Sequence, residues 1–410
     1  MLGLESYKYV IVGAGLWGCV LAERVADCLD ERVLVVDRRR HCGGNCHSAP
    51  DEETGIECHL FGTHIFHTRE QRVWEYLNRF TTFNTYRHRV LTEYGNKLYQ
   101  MPIGLATINS FYGMNLKPHE AESFIAAQAA RENISEPANL EEKAISLIGR
   151  PLYEAFIKGY TWKQWRLPPD ELPADIITRL PVRADYNPEY FNDYWQGLPL
   201  DGYHSLFERL LEHPNITLRL GLDYADIAAF VPSDCRIFYS GPIDAFFHYR
   251  LGELSWRSLR CEKKVLPFSD YQGNSVINQS DPAVPYTRTH EFRHLHPERT
   301  YTKNKTVVVY EYPEDFCRGR EAYYPVNRPE DQRLLRQYRE LASVEAPRVT
   351  FGGRLGRYIY ADMDTTVSNA LDAFAALAAE LGMQPPPVST TKDKNHVSLY
   401  TTNTAVQFAG

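Results

Sequence analysis

Apolar runs and helical periodicity alternate at the start of the chain. Tyr9 to Val12 and Val33 to Val36 are short apolar runs, as expected of strands. The residues between them repeat apolar positions at helical spacing, and residues 71 to 80 do so again. The pattern predicts a strand, a helix and a second strand, followed by a short amphipathic helix.

The middle of the chain contains other patterns. Residues 85 to 101 alternate around Gly95-Asn96, which predicts a β-hairpin. Residues 102 to 165 carry helical spacing, and we expect several short helices that form an inserted bundle. From 256 to 312, apolar runs separated by polar turns predict further strands.

Later segments are expected to return to the first sheet. Residues 215 to 224 and 235 to 240 are apolar enough to be strands of that sheet. Further on, a strand, a glycine turn and a short aromatic strand ending at Asp362 precede a helix that begins near Thr365 or Thr366.

These patterns predict an α/β protein in three parts with a tail. A Rossmann-like domain is assembled from separate stretches of chain, a helical bundle is inserted, and the third part is an antiparallel sheet. The expected boundaries are 1–84, 205–250 and 345–384 for the Rossmann-like domain, 102–175 for the bundle, 85–101, 176–204 and 251–344 for the sheet domain, and 385–410 for a C-terminal extension.

The first predicted turn carries a dinucleotide-binding fingerprint. Gly13, Gly15 and Gly18 have the G-x-G-x-x-G spacing between the first strand and the helix. In this motif the glycines allow a tight turn, close approach of the backbone to a pyrophosphate, and close packing of helix on strand. The helix N-terminus attracts the anion. Asp37 ends the second strand, where a carboxylate can accept hydrogen bonds from ribose hydroxyls.

A second glycine-rich segment follows this strand. Arg38 begins a run of three arginines, and Gly43, Gly44 and Asn45 come next. The segment is either a solvated basic turn or a loop that approaches the same dinucleotide. Because it directly follows the fingerprint, we favour the second interpretation for Arg38, Gly44 and Asn45.

Composition narrows the function classes. The chain has 410 residues, a net charge of −7 and 24% charged residues, which is typical of a globular protein with two or three domains. The acidic balance argues against a general nucleic-acid surface. No run approaches the roughly 20 apolar residues that span a bilayer. The first residues also lack the basic start of a secretory leader, and we expect a cytoplasmic protein.

Cysteine and histidine cluster between residues 42 and 67. A zinc site is one interpretation, but the spacing of Cys42 and Cys46 is not that of the usual C-x2-C knuckle, and acidic turn residues interrupt the cluster. The eight cysteines of the chain are otherwise scattered, as in a reducing compartment. We predict no metal site.

The order of local motifs resembles that of the UDP-galactopyranose mutase family. The matching motifs are the fingerprint, GGN, FGTHIFHT, FIKGYTWKQW, TRLPVR, YFND, YSGPIDAFF, PYTR, YYPV and GGRLGRYIYADMD, and they span roughly residues 7 to 380. The chain looks like a compact bacterial member. The resemblance implies an isomerase of galactofuranose biosynthesis, which serves the cell wall.

The resemblance also implies a cofactor and a mechanism. The cofactor is FAD, active in its reduced form, and the reaction is the reversible isomerisation of UDP-galactopyranose to UDP-galactofuranose without net redox change. In the family mechanism the flavin N5 attacks the anomeric carbon, UDP leaves, and a flavin-iminium intermediate allows the ring to reclose. The chain shows only one dinucleotide fingerprint, which fits a protein without a separate NAD(P)H domain.

Several residues match positions that the family uses for the diphosphate. Arg179 in TRLPVR and Arg288 in PYTR resemble the arginine pair that stabilises departing UDP, for which a guanidinium fork is well suited. Tyr324 and Tyr360 are similar to tyrosines that reach the diphosphate, and Arg354 is similar to an arginine near flavin and sugar. The alternative for the arginines is an ordinary surface position.

Aromatic residues of the predicted bundle match the uridine site of the family. Tyr160 resembles the tyrosine that stacks on uracil, Phe156 would line the same pocket, and Asn278 would contact the nucleotide. Trp165 matches the tryptophan of a mobile lid that excludes water. For these aromatic residues, packing in the core of the bundle is the alternative interpretation.

Histidines and an acidic turn complete the implied site. His64 and His67 match the G-x-H-x-x-H segment of the family, at flavin and sugar, and a partly buried structural role is the alternative for each. His88 replaces a residue that is often Asn in the family, which would put an imidazole near the sugar or phosphate. Asp362 and Met363 are expected to close the FAD cradle.

One rival function shares the predicted fold. A flavin-dependent oxidoreductase of the amine-oxidase type would use the same FAD domain without residues for UDP. Arg179 with Arg288, and Tyr160 with Trp165, favour the mutase. The expected partners are therefore UDP-galactose and UDP, with no nucleic acid and no membrane span. We also expect a homo-oligomer, a dimer or larger.

Overall fold

Strands and helices alternate along the chain, as in an α/β protein. The structure, a computed structural model, describes residues 4–179 and 182–384, with only the backbone of residues 175, 178 and 179. The predicted C-terminal extension, 385–410, lies outside the described residues.

The strands are numbered in chain order. They are β1 (Tyr9–Val12), β2 (Val33–Asp37), β3 (Ser48–Pro50), β4 (Glu57–His59), β5 (Phe66–Thr68), β6 (Val90–Tyr94), β7 (Lys97–Met101), β8 (Trp195–Gly197), β9 (Ile216–Leu220), β10 (Arg236–Tyr239), β11 (Trp256–Leu266), β12 (Val276–Gln279), β13 (Arg288–Glu291), β14 (Thr306–Asp315), β15 (Tyr324–Pro325) and β16 (Val349–Phe351).

The helices are numbered in the same way. They are α1 (Leu16–Leu29), α2 (Gln71–Leu77), α3 (Leu105–Tyr112), α4 (Pro118–Ala130), α5 (Leu140–Leu152), α6 (Gly159–Trp165), α7 (Gly202–Leu211), α8 (Tyr224–Ile227), α9 (Ile243–Phe246), α10 (Pro329–Glu345), α11 (Gly353–Arg357) and α12 (Met363–Glu380). A π-helical segment, Tyr153–Lys158, joins α5 to α6.

The first sheet is parallel and has the strand order β16-β10-β1-β2-β9. Its central strands are buried on both faces: Ile11 and Val35 face a core shared with α1, α7 and α12, whereas Val10 and Leu34 face a second core on the other side. Helices on both faces explain why these strands are continuous apolar runs. The prediction that residues 215 to 224 and 235 to 240 return to this sheet is confirmed by β9 and β10.

The second sheet has the strand order β15-β11-β14-β13-β12-β6-β7. β6 and β7 form the predicted hairpin, in which Gly95 and Asn96 both have positive φ angles, 57° and 60°. Two such residues give the turn whose twist matches that of the flanking strands. β12 and β6 pair in parallel, so the sheet is mixed where wholly antiparallel pairing was expected.

Helices α3 to α6 form the helical bundle, which confirms the predicted series of short helices. Their apolar side chains share one core with Val90, Tyr99 and Met101 of the hairpin, so the bundle is attached to the edge of the second sheet. Within α5, Gly149 has a φ of 75° and interrupts the helix before Pro151. In the described part of the chain, no helix is both long and apolar enough to cross a bilayer.

The segment between Phe351 and α12 differs from the prediction. A short aromatic strand ending at Asp362 was expected, but residues Gly353–Arg357 form α11 and Tyr358 is left-handed, with a φ of 53°. The aromatic residues that suggested a strand have another role here, because Tyr358 packs against Trp256 with ring centres 4.8 Å apart. Asp362 then precedes α12, which begins at Met363, earlier than predicted.

A small sheet joins two distant segments. β5 pairs antiparallel with β8, and His67 lies opposite Gln196 in this pairing. β8 lies within residues 176–204, where no strand was predicted from the sequence, and three residues are too short for a sequence period to be visible.

Close packing of α1 on β1 depends on Gly18. A Cβ at this position would lie 2.0 Å from the carbonyl oxygen of Gly13 and 3.1 Å from Cγ2 of Ile11. We expect Gly18→Ala to lower the free energy of unfolding by about 1–3 kcal/mol, because overpacking forces the helix off the strand. Urea unfolding measures this. Glu208→Ala, on the exposed face of α7, is the control, and an equal midpoint for both variants would contradict the close-packing role.

Candidate functional site

A cavity of about 1680 Å³ is lined by both sheets and by the helical bundle. This volume exceeds the roughly 300–1,000 Å³ typical of a single small-ligand site, so the cavity has room for more than one ligand. The sequence-predicted site residues that line it are Gly13, Gly15, Asp37, Arg38, Gly44, Asn45, His64, His67, His88, Phe156, Tyr160, Trp165, Asn278, Arg288, Tyr324, Arg354, Tyr360, Asp362 and Met363.

Two predicted residues stand apart from this lining. Gly18 is buried between α1 and β1 and supports the glycine loop from below. Arg179 ends a short 3-10 helix, Ala174–Arg179, and its side chain lies outside the described part of the chain.

Two glycine-rich loops meet at one end of the cavity. Gly15 and Gly43 form an isolated parallel bridge, and a Cβ on Gly44 would lie 3.2 Å from Cα of Gly15. A Cβ on Gly15 would meet no protein atom closer than 3.9 Å, so the backbone there is open to a ligand. Together with the free N–H groups at the start of α1, this open backbone fits the pyrophosphate of a dinucleotide.

Backbone N–H groups hold Asp37 beside the first glycine loop. Oδ2 accepts from the N–H of Ala14 and Oδ1 accepts from the N–H of Arg39, each at 2.8 Å. Each carboxylate oxygen has a second lone pair, so the side chain can still accept from a ribose hydroxyl.

Glu321 holds the first two arginines of the basic run. Nη2 of Arg38 donates to both carboxylate oxygens at 3.1 Å, and Arg39 pairs with the same group while donating to Oδ1 of Asn45 at 2.9 Å. Burial raises the pKa of Glu321, but the hydrogen bonds and charges of the two arginines outweigh it and lower the pKa. The basic run is therefore tied to the loop before β15, at the rim of the cavity.

Arg354, Asp362 and Met363 line the cavity from α11 and from the start of α12. Nη2 of Arg354 donates to the carbonyl oxygen of Ala322 at 3.4 Å. The hydroxyl of Tyr203 donates to Sδ of Met363 at 3.8 Å. The second contact links α7 to α12, whose N-terminal residues open onto the cavity.

A buried carboxylate, Glu311, anchors Arg288 at the centre of the cavity. Nε of Arg288 lies 3.5 Å from Oε1 of Glu311, and Nε2 of His290 lies 3.2 Å from Oε2. Nδ1 of His290 is 2.6 Å from the hydroxyl of Thr63. Although burial alone would raise it, the charge of Arg288 and the hydrogen bond from His290 lower the pKa of Glu311 to about 2. The carboxylate is thus ionised and only 2% exposed.

Arg288 faces Tyr160 of the bundle. Nη2 donates to the Tyr160 hydroxyl, and the guanidinium carbon lies 5.5 Å from the centre of the ring, within the range of a cation–π contact. Nε is buried and makes no hydrogen bond to the described residues. An anionic ligand would supply acceptors to this arginine.

Two side-chain oxygens of the lining also have no hydrogen-bond partner among the described residues. They are Oδ1 of Asn278 on β12 and Oε1 of Gln164 on α6, and both are buried. Buried polar atoms are rarely left unpaired in proteins. Both oxygens therefore fit a ligand that carries amide or hydroxyl donors.

Lys163 fixes α6, the helix that carries Tyr160. The three N–H groups of its ammonium lie within hydrogen-bonding distance of four backbone carbonyl oxygens, those of Gln279, Asp281, Val284 and Tyr286, at 2.8 to 3.1 Å. One turn earlier, a Cβ on Gly159 would lie 2.3 Å from the carbonyl oxygen of Ser280, so helix and loop are in direct contact. The same loop leads into Arg288, which ties the two sides of the cavity together.

Three aromatic rings form one wall of the cavity. Tyr324 and Tyr360 are nearly parallel, with ring centres 5.8 Å apart, and Trp165 lies 6.3 Å from Tyr324. Phe156 is 4% exposed and packs edge-on against Tyr99 of β7, in the core that the bundle shares with the hairpin. Phe156 therefore belongs to the bundle core and also reaches the cavity, so both sequence interpretations apply to it.

The two histidines of the G-x-H-x-x-H segment have different partners. Nδ1 of His64 is 2.7 Å from the carbonyl oxygen of Gly62, and burial lowers the pKa of His64 to about 4. His64 is therefore neutral near pH 7, with its proton on Nδ1. Nδ1 of His67 lies 2.6 Å from Oδ2 of Asp193. Gly62, with a φ of 94°, passes directly over Glu311.

His88 is more deeply buried, at 6% exposure. Nδ1 lies 3.1 Å from the hydroxyl of Tyr86, and the ring packs against Tyr190 and Phe191. Burial, with a contribution from the charge of Arg288, lowers the pKa of His88 to about 3. The side chain is a neutral imidazole at the edge of the cavity.

Several side chains of the site were missed by sequence reasoning: Glu311, Gln164, Lys163, Asp193 and Glu321. Lys163 and Gln164 stand within the motif GYTWKQW, and Asp193 within YFND, so their motifs pointed toward them without giving a role. Glu311 lies in an ordinary alternating strand, and no local signal distinguishes it.

Comparison with known families gives two matches. The family model for UDP-galactopyranose mutase matches residues 155–360, and that for an NAD(P)-binding Rossmann-like domain matches residues 11–80. The second match contains both glycine-rich loops, and the first contains the bundle helix α6, Arg288 and Tyr360.

Full-length relatives have related names. A probable UDP-galactopyranose mutase of Klebsiella pneumoniae is 39% identical over 392 residues, which are 94% of this chain and 99% of that protein. A dTDP-fucopyranose mutase of Escherichia coli is 38% identical over 370 residues, 89% of this chain and 97% of that protein. A UDP-galactopyranose mutase of Mycoplasma genitalium is 32% identical, over 89% of this chain and 93% of that protein.

Solved structures show the same fold at low identity. A crystal structure of reduced UDP-galactopyranose mutase superposes with a TM-score of 0.71 at 13% identity, covering 94% of this chain and 96% of the other. Putrescine oxidase bound to putrescine gives a TM-score of 0.53 at 10% identity, with coverages of 91% and 99%. The fold is thus shared with enzymes of different chemistry, so the reaction has to be inferred from the residues of the site.

The four carbonyl oxygens around Lys163, called here the carbonyl cage, are expected to stabilise the folded protein by holding α6 in place. Lys163→Met would leave several buried carbonyls without a donor, each costing about 1–3 kcal/mol. We expect a lower urea midpoint than for Lys158→Met, which removes an exposed lysine from the preceding π-helical segment. Equal midpoints for the two variants would show that the cage does not hold α6.

Proposed function

The chain belongs to the UDP-galactopyranose mutase family, and we propose that it interconverts UDP-galactopyranose and UDP-galactofuranose. The observation that carries the proposal is Arg288. This arginine lines a cavity that also holds a dinucleotide fingerprint, its Nη2 contacts Tyr160, and its Nε faces the buried carboxylate of Glu311. An oxidase of small amines binds no diphosphate and therefore needs no such cation in its substrate site.

The dinucleotide of the proposed reaction is FAD in its reduced form. The flavin-type fold, the open backbone at Gly15 and the carboxylate of Asp37 support this assignment. When bound, reduced FAD supplies a nucleophile for the anomeric carbon, and no net electron transfer is needed because ring contraction leaves the oxidation level of the sugar unchanged. Gly13, Gly44 and Asn45 would hold its adenosine diphosphate half, and Arg354, Asp362 and Met363 its other half.

Arg288 binds the diphosphate of the nucleotide sugar in this proposal. Cleavage of the anomeric bond leaves negative charge on the phosphate, and a guanidinium group stabilises that charge with directed hydrogen bonds. Glu311 holds Arg288 in place through an ion pair. Arg179 is proposed as the second cation, on the strength of its motif alone, and Tyr324 and Tyr360 would donate hydroxyl hydrogen bonds to the same oxygens.

The nucleoside end is assigned to the bundle side of the cavity. Tyr160 and Phe156 supply aromatic surface for a pyrimidine ring. The unpaired oxygens of Asn278 and Gln164 supply acceptors for its N–H or for ribose hydroxyls. Trp165, beside Tyr324, would cover the bound sugar and exclude water.

His64 can act only as an acceptor near pH 7. Its Nδ1 proton is engaged by Gly62 and the ring is neutral, so Nε2 offers a lone pair to a hydroxyl or N–H group. His88, also neutral, lies near Arg288 and would contact the sugar or a phosphate without adding charge.

A second candidate substrate is dTDP-fucopyranose. The Escherichia coli relative with that name is as similar to this chain as the Klebsiella relative is. The bundle side of the cavity is lined by Ile157 and Ile177 near Phe156, and an apolar wall suits the 5-methyl group of thymine. Both sugars have the same chemistry at the anomeric carbon, so the proposed mechanism does not change.

Location and assembly belong to the same proposal. Eight free cysteines support a reducing cytoplasm. We also propose that the protein forms a homo-oligomer. Light scattering on the purified protein measures the molecular mass that tests this.

The function is tested by turnover of the two nucleotide sugars. The purified protein is loaded with FAD and reduced with dithionite. We expect it to convert UDP-galactofuranose to UDP-galactopyranose, and chromatography of the nucleotide sugars measures the conversion. Parallel samples contain dTDP-fucopyranose, or oxidised protein with putrescine. Isomerisation of dTDP-fucopyranose alone would select the second substrate. Reduction of the flavin by putrescine, with no isomer from either sugar, would overturn the proposal.

Arg288→Lys separates charge from hydrogen-bond geometry. Lysine keeps the positive charge but loses the planar fork. Each charge-assisted hydrogen bond lost costs about 1.5–3 kcal/mol, equivalent to about 10- to 150-fold in rate, and we expect kcat to fall by at least the lower value. Arg260→Lys, at an exposed arginine paired with Glu314, is the control. Equal kcat for both variants would remove Arg288 from the chemical step.

A further inference from the structure

His67 is held on two sides within the cavity. Its ring stacks on Phe191 with ring centres 3.7 Å apart and an angle of 17° between the planes. Its Nδ1 lies 2.6 Å from Oδ2 of Asp193. Pairing of β5 with β8 brings these distant parts of the chain together. The plane of the ring and one of its two nitrogens are therefore fixed before any ligand binds.

The carboxylate decides where the His67 proton lies. A carboxylate oxygen accepts the hydrogen bond, so Nδ1 of His67 is its donor. Nε2 is then the one polar atom of the ring that remains for a ligand in the cavity. A carboxylate behind a histidine is a known way to set the tautomer and direction of an imidazole.

Asp193 is itself anchored from the outside. Its second oxygen, Oδ1, accepts from Nε of Arg69 at 2.7 Å, and the side chain of Arg69 is 69% exposed. Because an exposed ion pair contributes little to stability, this bond supports the carboxylate but is not required to keep it beside His67. Arg69 does not line the cavity.

We infer that Asp193 is a positioning residue for the reaction. It fixes His67 as the Nδ1–H tautomer, so that Nε2 is presented to the bound sugar or cofactor. His64, three residues earlier, is fixed by a neutral carbonyl, whereas His67 is fixed by an anion. The two histidines are thus held by different kinds of hydrogen-bond acceptor. This inference rests on the proposed function for its effect on turnover, but its structural content does not.

Nitrogen NMR on the FAD-bound protein, labelled with ¹⁵N-histidine, measures which ring nitrogen of His67 carries a proton. The signals of His67 are identified as those that are missing from the spectrum of His67→Gln. We expect a protonated Nδ1 on His67 in the wild-type protein near pH 7. An unprotonated Nδ1 there would overturn the inference without any activity measurement. In Asp193→Asn the amide can either accept from or donate to Nδ1, so we expect a mixture of tautomers.

Turnover of the same variants tests the positioning role. We expect Asp193→Asn to lower kcat by about 10- to 100-fold, as for other residues that orient a functional histidine, with KM changed by less than about two-fold because Asp193 touches no ligand in this scheme. Arg69→Gln, which leaves the carboxylate behind His67, should retain most of the turnover. Wild-type kcat in a correctly folded Asp193→Asn variant would overturn the role. If the wild type itself isomerises neither nucleotide sugar, the proposed function fails while the tautomer result stands.

Discussion

The ionised carboxylate of Glu311 is the constraint around which the cavity is built. A buried charge without a partner is strongly destabilising, so the side chains around Glu311 must supply a cation and donors. Arg288 supplies the cation and His290 a hydrogen bond, and Gly62 passes over the carboxylate without a side chain. One buried anion therefore determines the position of the arginine and of the turn that accepts the His64 proton.

Much of the fold follows from local sequence patterns. The parallel core strands, the glycine loop and the hairpin at Gly95 each have a signal within a few residues, and the structure has all three. The departures occur where tertiary contacts override the local pattern. Tyr358 turns inward because Trp256 offers it a packing surface, and β8 exists only because β5 lies beside it.

The candidate site shows the same division. Sequence motifs identified the residues that face the cavity, such as Arg288 and Asn278, because a motif records which side chains stand together in a family. Motifs did not identify what holds them. The contact of Asp193 with His67 spans 126 positions and that of Lys163 with Tyr286 spans 123. No periodicity in the sequence relates residues so far apart, and only the folded backbone brings them into hydrogen-bonding distance.

Lys163 has a further consequence for the site. Four carbonyl oxygens around one ammonium group resemble the coordination of a potassium ion, except that this cation is covalently attached to the helix it secures. A free ion would leave its site when the surrounding ion concentration falls, and another ion could replace it. A tethered cation cannot be exchanged for another ion. The hold on α6, the helix that carries Tyr160, therefore needs no ion from solution.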